Sequence, residues 1–232
     1  MDSVELLTLF GLTQQEAKIY CSLHGHDPAT GYELAKVTGI SRSNTYTGLS
    51  NLVEKGAAHQ IDGKPIRYQA VPVSEFCRNV IRSLQASRDI LERFLTPVDD
   101  SVKAYLTVKG SMNIRNKIET LIEGTHHRIY ISMAETLLRS FLPSLEKLVE
   151  GGRKVVIITS SQILIKEAAI YITQKPSDHI RVISDSVKAL TGGLDESPNC
   201  TCLYSRKENL VSLIKDSIKN EIELIKLSGG DA

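Results

Sequence analysis

The chain has 232 residues, 41% of them hydrophobic, enough to bury one large core or two modest ones and too many for wholesale disorder. Its 28 Lys and Arg balance 27 Asp and Glu, so no global basic excess advertises nucleic acid, although a few local phosphate contacts would suffice. No apolar run nears the roughly 20 residues of a membrane helix. The start MDSVELLTLFGLTQQEAK lacks a signal peptide's basic and apolar regions, and four cysteines are too few for a disulfide scaffold. A reduced, cytoplasmic protein is expected.

Thr13-Gln14-Gln15-Glu16 has the S/T-x-x-E spacing of a capping box, and Ala17, Tyr20, Cys21 and Leu23 give the helix behind it an apolar face to His24. Thr30-Gly31-Tyr32-Glu33 repeats the box and opens a shorter helix that buries Leu34, Ala35 and Val37. Gly39 suits the left-handed residue that ends it, and Ser41 is placed to cap a third helix. In that helix Tyr46, Leu49, Leu52 and Val53 fall on one side, expected to be core, and Ser43, Asn44, Thr47, Ser50 and Asn51 on the other. Arg reads guanine and Asn adenine in a major groove, so the face from Ser41, Arg42, Ser43 and Asn44 to Thr47 and Asn51 suits base reading. Ala57 to Ile61 and Ile66 to Val71 pair as a hairpin around Asp62-Gly63, with Lys64 and Arg67 where a wing meets phosphates. Residues 1–72 thus predict an α+β winged helix-turn-helix that binds double-stranded DNA.

Pro72 breaks the strand, and residues 73–97 predict one long linker helix. Phe76, Val80, Leu84, Ser87, Leu91 and Phe94 recur at steps of four and three, a seam for a second helix and hence a homodimer, with Ile81, Ile90 and Leu95 widening it. Thr96-Pro97 ends the helix, and Asp99-Asp100-Ser101 reads as a linker.

From residue 101 to 232 strands and helices alternate, which predicts an α/β domain on a mixed sheet. Strands are expected at Ala104–Val108, Arg128–Ser132, Lys154–Thr159 and Ile180–Ile183. The VVII centre of the third suits a buried, parallel strand. Helices are expected at Ser111–Gly124, Glu135–Gly151 and Gln162 to about Thr173. Val187–Thr191 and Cys200–Tyr204 form a hairpin, and a third box, Ser205-Arg206-Lys207-Glu208, opens a last helix with Leu210, Ile214, Ile218, Ile222 and Ile225. Cys200 and Cys202 would share one strand face, either as two small buried hydrophobes or as a weak soft-metal or oxidant site.

GLTQQEAKIY, the helix-turn-helix and GKPIRYQAVPVSEF together resemble the DNA-binding domain of TrmB-type transcriptional regulators. IETLIEGTHHRIYIS and LEKLVEGGRKVVIITS are similar to that family's effector domain, so the resemblance covers nearly the whole chain. It implies a dimeric DNA-binding regulator whose second domain has a phospholipase D-like fold without that enzyme's chemistry. It also implies control by a small-molecule effector or a protein partner, neither identified by the residues. Sugar-responsive members carry a further C-terminal sugar-holding domain; this chain stops about one helix after the α/β domain, so sugar sensing is not carried over.

Phospholipase D-like catalysis needs a His with a Lys two residues on and an Asp beyond. None of the six histidines, at 24, 26, 59, 126, 127 and 179, has that Lys, and His179-Ile180-Arg181 is the nearest imitation. Arg does not replace a movable ammonium. No enzymatic activity, cofactor or metal is expected. The rival readings are a winged helix that holds another protein instead of DNA, and a thiol- or metal-responsive regulator through Cys200 and Cys202.

Overall fold

A computed structural model describes residues 2–25, 28–95, 104–197 and 199–228. The expected helix stop at Thr96-Pro97 and linker at Asp99-Asp100-Ser101 lie outside the described residues. The chain divides into two compact units, Met1–Val98 and Asp99–Ala232.

The first unit is built from α1 (Ser3–Leu9), α2 (Gln14–His24), α3 (Gly31–Thr38), α4 (Arg42–Glu54), the hairpin strands β1 (Ala58–Ile61) and β2 (Arg67–Ala70), and α5 (Val73–Phe94). Both expected capping boxes form, Thr13 with Glu16 and Thr30 with Glu33. So does an unforeseen one, Asp2 with Glu5, which starts α1. Gly39 ends α3 at φ 70°, the left-handed conformation that glycine adopts without strain. A two-residue bridge joins Ala29 to Tyr68, so the wing hairpin gains a third short edge.

Helices α2 and α4 approach closely because α4 carries Gly48, where a Cβ would come within 2.6 Å of Ile19 Cδ1. Ile19, Leu23, Leu34, Leu49, Leu52 and Phe76 fill the core. Phe76 corrects one expectation: at 1% exposure it is core of its own unit, its ring 5.9 Å from that of Tyr20, and not part of an open seam. Val80, half-buried, packs on the same core. From Ile81 to Leu95 every residue of the long helix is exposed.

The second unit is one seven-stranded mixed sheet in the order β3 (Tyr105–Lys109), β9 (Thr201–Ser205), β8 (Lys188–Gly193), β7 (His179–Ser184), β4 (Arg128–Ser132), β5 (Lys154–Thr159), β6 (Ala169–Ile172). Strands β4, β5 and β6 are parallel, and the other pairings antiparallel. Side chains alternate across it. Ile129, Ile131, Val155, Ile157 and Val182 meet α6 (Ser111–Glu123) and α8 (Leu142–Glu150). Ile158, Ile183 and Ala189 meet α9 (Glu208–Leu227). Helices therefore cover both faces, which explains the unbroken apolar run of β5.

Three expectations fail here. Gln162 to Thr173 is not a helix: the AIYI stretch pairs in parallel with β5 as edge strand β6, because β-branched residues fit a pleated surface better. The segment Glu135–Glu150 is not one helix but α7 (Glu135–Leu138), a 3-10 turn and then α8, whose second residue is Pro143. The third capping box does not form, since Ser205 Oγ donates to the Ala104 carbonyl and accepts from the Lys207 amide, and α9 starts at Glu208 without a side-chain cap.

The β7–β8 turn has Asp185 and Ser186 both at positive φ, 51° and 56°, the combination that matches hairpin twist. The Asp185 carboxylate accepts from the amides of His126, His127 and Arg128 at 2.8–2.9 Å, which fixes the start of β4 against the turn. Burial alone would raise its carboxyl, yet these amides and the His127 charge hold it below the ordinary value. Asp185→Ala should cost about 2 kcal/mol, a figure set by charge-assisted hydrogen bonds and positive-φ strain. Asp185→Asn should cost less, because Asn tolerates the backbone and keeps one acceptor. Urea unfolding of the second unit checks the order.

Candidate nucleic-acid interface

The N-terminal half of α4 forms the exposed face. Ser41 caps it by accepting from the Asn44 amide at 3.4 Å, and buried Thr45 donates to the Ser41 carbonyl at 3.0 Å. With the first turn held this way, Ser41, Arg42, Ser43, Asn44 and Thr47 are all exposed. The Arg42 guanidinium sits 4.4 Å above the Tyr32 ring of α3, an arrangement that orders a long side chain while leaving its edge donors open.

Two residues of α4 depart from expectation. Tyr46 is not core: it is 48% exposed, because the buried stripe runs through Thr45, Gly48, Leu49 and Leu52 and leaves position 46 at its edge. Its ring lies over Gly31, where a Cβ would come within 2.5 Å, so Tyr32 and Tyr46 flank the exposed face as aromatic residues that periodicity alone had missed or misplaced. Asn51 is not an outward reader either. It is half-buried, and its Nδ2 donates to Glu16 Oε1 at 2.9 Å.

Glu16 is the joint between α2 and α4. The residue is 2% exposed. Its Oε2 accepts from the Thr13 amide at 2.8 Å and from Lys55 Nζ at 2.6 Å, and Lys55 also reaches the Gly11 carbonyl at 2.9 Å. Burial pushes its carboxyl up, but hydrogen bonds from Lys55, the Thr13 amide and Asn51, with the Lys55 charge, bring it below the ordinary glutamate value. One buried carboxylate thus caps α2 and clasps α4 at two points.

At the wing, Lys64 is exposed on the loop between β1 and β2. Arg67 is also exposed, but its Nη1 already donates to the Pro28 carbonyl at 2.8 Å, so it holds the wing root while offering its remaining donors outward.

The other candidates lie in the second unit. Cys200 and Cys202 both join the core under α6, as free thiols. Burial, and then the neighbouring Cys200, push Cys202 up to about 12, and its Sγ donates to the Gly193 carbonyl at 3.5 Å. A thiolate that could meet metal or oxidant is disfavoured there. His179 opens β7 with its side chain 70% exposed, and Arg181 is engaged by Glu221, Ser132 and Ser217. Asp185 lies at the opposite end of the strand, occupied by backbone amides, so the three do not converge as a His-Lys-Asp site requires.

Two family profiles match this chain: "Sugar-specific transcriptional regulator TrmB" over residues 7–74, and the N-terminal subdomain of the TrmB effector-binding domain over residues 104–217. The chain belongs to the TrmB family of transcriptional regulators. Among curated relatives, the uncharacterized protein YrhO of Bacillus subtilis is 26% identical over 75% of this chain and 65% of its own length. The "HTH-type sugar sensing transcriptional regulator TrmBL1" of Pyrococcus furiosus is 24% identical over 68% of this chain and 47% of its own. The chain thus spans about half to two thirds of the curated relatives it matches. Of solved structures, TrmBL2, an archaeal chromatin protein, aligns with 99% of this chain and 98% of its own at 20% identity and a TM-score of 0.48. A phospholipase D family member, Nuc from Salmonella typhimurium, aligns with 55% of this chain and 96% of its own at 10% identity and a TM-score of 0.38. No helix among the described residues is long and apolar enough to cross a membrane.

The Glu16 joint makes a measurable demand on the TrmB-type head. Glu16→Ala should destabilise the first unit by about 3 kcal/mol, the range for removing one partner of a buried pair. Lys55→Ala leaves the buried carboxylate with only its two amide donors and should cost a comparable amount, about 2–3 kcal/mol. The folded-state carboxyl lies below its ordinary value of 4.5, so the stabilisation is complete above that pH and lost as pH falls through the folded value. Glu16→Gln should flatten this acid limb, read by amide exchange in α2 and α4 between pH 3 and 6.

Proposed function

We propose that this chain is a homodimeric, sequence-specific DNA-binding regulator, with α4 in the major groove and the wing on the backbone. The observation that carries it is the division of α4. One side is clasped by Glu16 and the core, while Ser41 to Asn44 and Thr47 are exposed at the helix start. In helix-turn-helix docking the N-terminal residues of the recognition helix meet base edges. Arg42 and Asn44 carry the base-reading chemistry, and Ser41, Ser43 and Thr47 are short enough to let the helix approach. Asn51 is withdrawn from the reading set and given the positioning role described above. Lys64 and the free donors of Arg67 serve phosphates, which fix register without reading sequence.

Arg42→Ala or Asn44→Ala should each cost ~1–3 kcal/mol at one base position and relax specificity there. Lys64→Ala should weaken binding to every sequence and lower the salt slope by about 1. A gel-shift series on the DNA upstream of the chain's own gene, at two salt concentrations, measures both. Equal affinity across the variants and wild type would sink the assignment. The balanced charge favours, as the second reading, a winged helix that holds another protein; that reading predicts no retarded band even at low salt.

Dimerisation rests on α5. Beyond Val80 its apolar residues face solvent, with Leu84 62%, Leu91 54% and Phe94 81% exposed. Leu84, Ser87, Leu91 and Phe94 keep the three-and-four spacing of a helix pair, and Ile81 and Ile90 broaden it. Two half-sites one helical turn apart need two heads, which a paired α5 supplies. Leu84→Glu with Leu91→Glu should convert a dimer to a monomer by light scattering, since each buried leucine contributes roughly 2 kcal/mol. Phe76 keeps the variant's first unit folded, and an unchanged mass would overturn the seam. The second unit is proposed to bind an effector or partner that favours one arrangement of the heads. A ligand without that difference in affinity switches nothing.

A further inference from the structure

The second unit contains a cavity of about 560 Å³, lined in part by Ser132, Lys175, Asp178, Arg181, Gly193 and Glu221. It opens at the carboxyl end of parallel strand β4, where Ser132 faces Arg181 across the antiparallel β4–β7 pair. In α/β sheets that end of the strands is where ligands are held.

The floor is a charge cluster with its hydrogen-bond donors in surplus. Lys175, whose side chain is 4% exposed, donates to Ser132 Oγ at 2.7 Å and to Glu221 Oε1. An ammonium has three N–H donors, so one is unspent. Arg181 donates through Nη2 to Glu221 Oε2 at 2.6 Å and Ser132 Oγ at 3.2 Å, and through Nη1 to Ser217 Oγ at 2.7 Å. Its Nε–H and second Nη1–H remain. Ser132 Oγ accepts from both cations, which occupies its two lone pairs, and its proton has no acceptor among the described residues although the residue is 2% exposed. Lys175 and Arg181 share the Glu221 carboxylate, and Asp178 on the same cavity wall balances the formal charge of the lining. Burial draws the Lys175 ammonium below its ordinary value, the Glu221 contact opposes this, and the Arg181 charge adds to it. Asp178, at 47% side-chain exposure and 4.0 Å from His179 Nε2, makes no contact with the two cations.

We propose that this cavity binds the oxyanion head, phosphate or carboxylate, of a small molecule, with Lys175, Arg181 and the Ser132 hydroxyl as donors. What is unspent at the floor is a set of N–H and O–H groups on Lys175, Arg181 and Ser132, and an oxyanion supplies the acceptors they lack. The assignment names a ligand class for the effector reading on which it rests, but its binding step needs no DNA.

Calorimetric titration of the full chain with sodium phosphate and, separately, sodium acetate, at ionic strength fixed with sodium chloride, tests it. One saturable site per chain is expected for at least one of the two anions, and which one binds separates phosphate from carboxylate. Arg181→Gln should weaken binding at least tenfold. Gly193→Leu should abolish it by filling the cavity from β8, where a Cβ meets only the Asp178 carboxylate at 3.7 Å and no charge is altered. This second variant carries the test if Arg181→Gln fails to fold. No saturable heat with either anion, or unchanged affinity in the folded variants, would overturn the site. So would displacement of phosphate by a random-sequence duplex, which would hand the pocket to a nucleic-acid backbone. Anion binding that leaves the gel shift unchanged supports the site and removes only its regulatory use.

Discussion

The arrangement of the first unit depends on one buried carboxylate. Glu16 is almost wholly buried, where an unpaired charge would cost several kcal/mol. It is tolerated because an amide, an ammonium and a side-chain amide converge on its two oxygens. The same convergence fixes the rotation of α4 about its own axis. With Asn51 and Lys55 tied back at the C-terminal half, Thr45, Gly48 and Leu49 turn inward and Arg42, Ser43 and Asn44 outward. A purely apolar contact would hold α4 in place but specify its rotation less sharply, and a helix that reads base edges needs rotation specified.

The long helix α5 shows how a single amphipathic pattern can serve two ends. Its first turn is anchored through Phe76 against Tyr20, whose hydroxyl donates to the Val71 carbonyl at 2.8 Å. Past Val80 the same stripe continues, exposed, with none of the described residues of its own unit covering it. Periodicity registers only that a face is apolar, and both halves satisfy it equally. Burial in the fold is what divides the stripe into an anchor and a face that leaves a second helix room to pack.

Much of the fold was legible because its signals are local. Capping boxes at Thr13 and Thr30 and the glycine stop at Gly39 each act within a few residues, and the elements they delimit stand where expected, whereas the expected tight turn at Asp62-Gly63 is a five-residue loop between Ile61 and Arg67. The apolar run of β5 was equally clear. Failures arose where the deciding partner is remote in sequence. Ser205 abandons its cap for a carbonyl at Ala104, Asn51 turns to Glu16 thirty-five residues away, and the AIYI stretch joins β5 where local propensity allowed a helix. Tyr46 is a subtler case, since a residue 100° from the stripe's centre sits on its margin and only the seat provided by Gly31 decides its place. The exposed start of α4 was readable for the same reason as the caps: Ser41 fixes that turn from within.

The second unit makes the complementary point about chemistry. His179, Arg181 and Asp185 follow one another along β7 and its turn in an order reminiscent of a catalytic motif, yet each is committed differently. Asp185 is spent on three backbone amides, where it ties the β7–β8 turn to β4. His179 stands mostly in solvent, and Arg181, unlike a lysine, cannot give up its proton. Three residues that follow a motif's order along the chain therefore do not converge in space, because order along a strand does not by itself build a shared site.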